Sequence, residues 1–342
     1  MQTITEGTYD EALERLHRTG PEFDGWMSNH GPMVVEALAR RGAAATIHRW
    51  TDDYSRRLDQ LPAPSRPLVA STAAESLGDH TRLGDWIAFF ERRLDEQPWR
   101  DVLATWWSVL LPGIAAGATH GVIRVGHATV ALRAHENEVR VRELAHGLGY
   151  WAARWQPVAV PVPQGTDSAA SLVTTVPRVA HQEGGIRDRL AQLPVTRGWA
   201  EHGTALRAPV TTDDVRRSLD DLVDAVVLAY PRIAVGQPTM LVHAATAPNA
   251  VARALPSLPA ELWRPSFDAA WAATSAVLAA YRPAVLADGE ATTLDADDIW
   301  AAAVDNGGEH VVKLADTALD VLERTGDPRA LAAVRTAVVL DA

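Results

Sequence analysis

Histidine stands where apolar helix would otherwise run at three points of this 342-residue chain: Asn29-His30-Gly31-Pro32-Met33, Leu241-Val242-His243-Ala244 and Glu309-His310-Val311-Val312-Lys313. A fourth stretch, His120-Gly121-Val122-Ile123-Arg124-Val125-Gly126-His127, adds two more imidazoles. Imidazole is the commonest metal-binding side chain and titrates near neutral pH. An imidazole without a partner is costly to bury, so several in apolar settings point to a metal.

Spacing sorts these residues further. His30 sits at a helix entrance, where Asn29 can cap and Pro32 can take the first turn, or the imidazole can be presented into a pocket. His120 and His127 are seven apart, on one helix face but ~10 Å from each other. One of them suits a metal and the other a substrate or supporting role, and spacing alone leaves open which. Arg124 lies between them and could orient an anionic or phenolic group. His243 has no charged neighbour in sequence and is the strongest ligand candidate. His310 and Lys313 share a helix face. Such a lysine either snorkels to solvent or, desolvated, has a lowered pKa and a nucleophilic amine. In the second case it can take up carbon dioxide as a carbamate, an anionic oxygen ligand. His146, Tyr150 and Trp151 in Glu143-Leu144-Ala145-His146-Gly147-Leu148-Gly149-Tyr150-Trp151 serve either core packing or a substrate platform. His17, His48, His80, His135, His181 and His202 lie in charged or loop contexts and read as surface residues.

The elements that must position these groups are helical. Apolar residues make up 47% of the chain and charged ones 22%, ordinary for a globular protein. Helical periodicity is expected over 9–17, 33–41, 46–61, 83–96, 102–111, 113–134 and 138–155, then from 212 onward over 240–254, 266–280, 296–304, 309–324 and 328–339. Gly113, Gly117 and Gly121 recur at four-residue spacing, clearing a strip for close helix packing or for a flat ligand. On the helix after residue 309 the charged side is expected at Asp316, Asp320 and Glu323. The run Gln156-Pro157-Val158-Ala159-Val160-Pro161-Val162-Pro163 is too proline-rich for helix and reads as extended. Residues 156–210 form a lid or a long crossover. The expected fold is an all-α, multi-helix single globular array over 1–342.

Other functions are excluded or disfavoured. The formal net charge of −11 and the lack of a basic run argue against nucleic acid. With no cysteine, thiolate sites and disulfides are out. The N-terminus lacks the basic and apolar regions of a signal peptide, which points to a cytoplasmic protein. Val102 to Ile123 has the length of a membrane span, but Pro112 and its glycines favour a broken, buried helix pair. A glycine-rich phosphate loop, a Gly-x-Ser-x-Gly elbow and His-x-x-x-His pairs are all missing. Monomer and homodimer both stay open.

Five ordered motifs resemble the questin oxidase-like family: Asn29-His30-Gly31-Pro32-Met33; His120-Gly121-x-x-Arg124-x-x-His127-Ala128; Glu143-Leu144-x-x-x-Leu148-x-Tyr150-Trp151-Ala152; Val242-His243-Ala244-x-Thr246-Ala247; and His310-Val311-Val312-Lys313-Leu314. Residues 156–210 match nothing in that pattern. The resemblance implies an oxygenase that opens a ring of an anthraquinone-like aromatic polyketide, by non-haem iron or by Baeyer–Villiger chemistry. No flavin or nicotinamide fingerprint is visible, whereas histidines and a lysine suit Fe(II). The expected ligands are His30, His120, His243, His310 and Lys313, the last either as the amine or as its carbamate. Dioxygen would be the oxidant, His127 and Arg124 would act on the aromatic substrate, and Tyr150, Trp151 and His146 would bind it. An NADPH-dependent Baeyer–Villiger oxygenase and a non-catalytic helical binding protein for an aromatic metabolite are the alternatives.

Overall fold

Local capping chemistry sets where the helices begin and end. Thr211 and Asp214 form a capping box at the start of one helix, and Asn137 and Asp295 cap two others through side-chain oxygens. Gly307 and Gly326, at φ 69° each, take the left-handed conformation that closes a helix C-terminus. The computed structural model describes residues 2–158, 161–289 and 291–340, apart from the side chains of 2–6. The fold is all-α as expected, 67% helical, and the sheet among the described residues is a two-stranded hairpin.

By contacts the chain forms two units. The first comprises Met1–Pro157 with Arg253–Leu262. It contains α1 (Gln2–Leu16), α2 (Gly31–Arg40), α3 (Ile47–Ser55), α4 (Leu83–Glu96), α5 (Trp99–Leu110), α6 (His120–Ala134) and α7 (Glu138–Ala153). Between α1 and α2 the strands β1 (Glu22–Phe23) and β2 (Met27–Ser28) pair antiparallel. Helix α7 packs on α4 and α6, and α2 lies on α1 and α6. Trp86, Phe89, Phe90 and Trp106 pack mostly edge to face at 5.1–5.8 Å between ring centroids, which fixes α4 against α5.

The second unit comprises Val158–Ala252 with Trp263–Ala342. Short helices α8 (Ala169–Leu172), α9 (Ile186–Leu190) and α10 (Trp199–Ala205) precede the longer α11 (Thr212–Ile233), α12 (Pro238–Ala254), α13 (Trp263–Tyr281), α14 (Ala296–Asn306), α15 (Glu309–Thr325) and α16 (Ala330–Leu340). Helix α11 packs against α8, α13, α15 and α16. The proline-rich segment is non-helical as expected, although Ala159 and Val160 lie outside the described residues. Residues 163–210 are fastened onto α13 and its C-terminal turn: Trp271 donates to Gly203 O, Arg189 to Ala280 O, Arg178 to Arg282 O and Arg282 to Val176 O.

Two expectations need correction. The stretch expected as helix over 113–134 is helical only from His120; Leu111–Gly113 is a short 3-10 turn. The glycines therefore do not line one helix face. Each is instead a contact point for an aromatic ring: Trp155 on Gly113, Tyr150 on Gly117 and Trp151 on Gly121, with an added Cβ meeting them at 2.1–2.8 Å. The helix expected over 46–61 stops at Ser55. No helix among the described residues is long and apolar enough to cross a membrane.

Candidate functional site

In the first unit, His30 is the residue that caps α2, with Pro32 in the first turn. Asn29 Oδ1 accepts the Gly31 N–H at 2.9 Å, making the entrance turn rigid. The His30 main-chain N–H donates to the Tyr54 hydroxyl at 2.6 Å, and that hydroxyl lies 3.3 Å from His30 Nδ1. The hydroxyl can donate to Nδ1 or accept a second hydrogen bond from it, according to the His30 tautomer. His120 opens α6, and its Nδ1 bonds the Gly117 carbonyl, which can only accept. Nδ1 therefore carries the proton and Nε2 the lone pair. The Nε2 atoms of the two rings are 2.7 Å apart, and the ring planes are nearly perpendicular. Both side chains are buried.

The backbone leading into His120 is strained. Gly117, Ala118 and Thr119 take φ of 52°, 57° and 73° in succession. A left-handed non-glycine residue costs of order 1–3 kcal/mol and persists where its surroundings fix it, commonly at functional sites.

Two ion-paired groups sit nearby in sequence. His127 Nδ1 lies 2.6 Å from Glu36 Oε2, so of the two histidines on α6 it is His120 that pairs with His30. Arg124 forks onto Glu143 through Nε and Nη2 at 2.6 and 2.9 Å. The same carboxylate takes His17 Nε2 at 3.0 Å. Arg124 and these bonds hold the Glu143 carboxyl down at about 2 against the cost of burial. His17, expected at the surface, is buried: Glu143 draws it in, and its ring lies tilted 4.7 Å from that of His146. Burial pushes His146 down to about 4, with Glu91 at 3.7 Å as its carboxylate partner. The Tyr150 hydroxyl is spent on Ser28 Oγ at 2.6 Å and Trp151 Nε1 on Gly113 O at 3.1 Å. These two rings pack inside the unit.

In the second unit, His243 on α12 and His310 on α15 meet edge to face, centroids 5.0 Å apart. His243 Nδ1 donates to the Met240 carbonyl at 3.1 Å, which leaves the lone pair on Nε2. Burial and the Lys313 charge push its pKa down to about 3, so the ring is neutral. Lys313 is the single lysine of the chain, every other Lys/Arg cation being arginine. It is 1% exposed, and its Nζ has no hydrogen-bond partner. Burial brings its pKa down to about 7. Asp316, expected on the charged side of α15, is fully buried. His202 is likewise buried, against Trp271, rather than at the surface.

Sequence reasoning passed over Glu36, Tyr54 and His17. Glu36 was detectable, being the one acid in α2, amid an apolar run. Tyr54 and His17 carry no such signal, because their partners are 24 and 126 residues away. No family model matches this chain, and no curated protein matches it.

Proposed function

We propose that the protein is a non-haem iron oxygenase with His30, His120, His243 and His310 as metal ligands. All four are buried, and each offers a ring nitrogen capable of holding a metal. The observation that carries this reading is the His30–His120 pair, whose Nε2 atoms point at each other at 2.7 Å. His120 and His243 each have Nδ1–H fixed on a main-chain carbonyl, the tautomer that metal-binding histidines need. For His30 the Tyr54 hydroxyl accepts from Nδ1, so that Nε2 becomes the donor atom.

Lys313 is the fifth ligand. As the chain's single lysine, buried without a hydrogen bond, it offers what arginine cannot, a neutral amine. Its nitrogen lone pair adds to the carbon of carbon dioxide and one proton leaves, giving a carbamate whose single negative charge is shared by two oxygens. Four imidazoles and one oxygen anion fit Fe(II). Iron(II) there would supply the electron chemistry that lets dioxygen react with an electron-rich aromatic ring.

The chain's own residues prepare the substrate, which we take to be a phenol or quinone of the anthraquinone type. His127 keeps Nδ1–H on Glu36 and presents Nε2 as a base toward a phenolic proton. Glu36 then stabilises the resulting imidazolium. Arg124, its fork fixed by Glu143, is a cation that cannot swing away and favours the phenolate. His146, Tyr150 and Trp151 back this wall from within. These features also underlie the resemblance to the questin oxidase-like family.

The test is oxygen uptake by iron-loaded protein with a hydroxyanthraquinone, with and without NADPH. Uptake with ring opening and no reductant supports the iron reading. Strict dependence on NADPH at every turnover assigns the protein to reductant-dependent Baeyer–Villiger chemistry. Ligand binding without turnover makes it a binding protein.

A further inference from the structure

A cavity of about 150 Å³ lies within the first unit, between α1, α2, α6 and α7. Its floor is formed by Tyr9, Glu36, Ala131 and Arg140, all buried, and its mouth by Arg40 and Ala134, which are exposed. A cavity of this volume lined by apolar side chains holds one benzene-sized ring. The lining here is mainly methyl groups and the Tyr9 ring, so water would find few partners.

The polar groups of the floor divide into those already engaged and one with spare capacity. Arg140 donates to Asp10 Oδ1 at 2.7 Å and to the Ala131 and His135 carbonyls, and its guanidinium lies 5.0 Å from the Tyr9 ring centre. It is a fixed wall. Burial, with the Glu36 and Glu143 carboxylates nearby, keeps the Tyr9 phenol protonated. Glu36 differs: Oε2 holds His127 at 2.6 Å, while Oε1 has only a long 3.4 Å contact with Arg40 Nε. A carboxylate oxygen accepts about two hydrogen bonds, so Oε1 has room for a strong donor.

We propose that this cavity is a binding site for a single-ring, uncharged aromatic alcohol of the phenol class, whose hydroxyl donates to Glu36. A cationic amine is disfavoured by the two arginines, and a carboxylate by Glu36 itself. Because Glu36 also holds His127, the occupant draws on the same carboxylate and loosens the grip on that imidazole. The site stands whether or not the metal reading holds, since it uses neither the His30–His120 pair nor the second unit.

The experiment is titration of the full, metal-free chain with phenol and with toluene, followed by NMR of ligand and of histidine imidazoles. Saturable phenol binding at one site is expected, with the His127 resonances shifting and toluene bound ~10-fold or more weakly because it leaves Glu36 without its donor. Ala131→Met fills the floor and Ala134→Trp blocks the exposed mouth; each abolishes the binding while circular dichroism stays unchanged. The Ala134 site is exposed, so its variant remains informative if Ala131→Met fails to fold. Glu36→Met, which has no strong acceptor, is expected to equalise phenol and toluene. No saturable binding, equal affinity for the two ligands in the unaltered chain, or binding indifferent to Ala134→Trp would overturn the proposal.

Discussion

His30 Nε2 and His120 Nε2 stand 2.7 Å apart with their rings at 86°. Two lone pairs cannot be held at that distance without something between them. In the metal-free chain it is a proton: His120 has its own proton on Nδ1, so His30 Nε2–H donates. Under the proposed iron binding, the ion would face both Nε2 atoms once the His30 proton had moved to Nδ1. Under that proposal the pair would exchange a hydrogen bond for two coordinate bonds, and Tyr54 is the group that would change roles.

Tyr54→Phe should therefore weaken metal binding. The variant has no acceptor for His30 Nδ1–H and leaves the His30 main-chain N–H without its 2.6 Å partner. Loss of such a supporting contact typically costs 10–100-fold in affinity. Metal titration followed by absorbance or calorimetry, with helix content checked in parallel, measures it. Affinity within about twofold of the unaltered protein would remove Tyr54 from the account.

Lys313 gives a spectroscopic prediction that the rest of the sequence makes clean. With one lysine in the chain, ¹³C-labelled bicarbonate should produce one protein-bound carbamate signal, absent in Lys313→Met. A signal that persists in Lys313→Met would belong to the N-terminal amine.

The same residue links stability to pH. Its folded pKa of about 7 lies below the ordinary 10.5. Between these values the unfolded chain binds a proton that the folded chain does not, so this contribution to stability is lost as pH falls from 10.5 to 7. In carbon dioxide-free, metal-free protein, Lys313→Met should gain at least ~2 kcal/mol at pH 7 and much less at pH 10. Urea denaturation at the two pH values checks the sign.

Acid should undo the fold through its buried imidazoles. His146 and His202 are both held at about 4, below the ordinary 6.5, by burial. Their contribution is complete above pH 6.5 and is lost as pH falls toward 4; Glu143, held at about 2, continues the loss below 4.5. His202→Phe removes one such group, whose Nε2 is buried without a partner. Its denaturation midpoint should fall less between pH 7 and 4.5 than that of the unaltered chain.

How far the sequence could be read follows from which forces are local. Helix entrances at Gly31 and Thr212 were legible because Pro32 and the acids Asp213 and Asp214 act within one turn. The break before His120 was hidden: glycines every fourth residue imitate a helix face, while Trp155 and Tyr150, from later in the chain, press on Gly113 and Gly117 beside the left-handed Ala118 and Thr119. His17 read as surface beside Arg15 and Arg18, yet a carboxylate 126 residues on pulls it inside. The ligand candidates stood out because nothing near them in sequence could satisfy an imidazole. Their pairing rests on contacts that no spacing reveals.

Those packing contacts make a further stability prediction. At Gly121 an added Cβ would meet Trp151 Cβ at 2.8 Å and its Cα at 2.9 Å, with backbone that cannot retreat. Gly121→Ala should cost about 1–3 kcal/mol by overpacking. Gly7 in α1 has nothing within 4 Å, so Gly7→Ala should gain ~0.5–1 kcal/mol from helix propensity alone. Equal effects at the two positions in thermal denaturation would contradict the packing assigned to Gly121.

The central proposal is that the His30–His120 and His243–His310 imidazoles are iron ligands. It is tested most directly by the iron content of protein purified without chelator, set beside His120→Ala and His243→Ala, one variant from each pair. About one iron per chain, lost in both variants while helix content is retained, is the result expected. Iron retained in either variant, or none bound by the unaltered protein even after loading with Fe(II), would contradict it and return these histidines to the core.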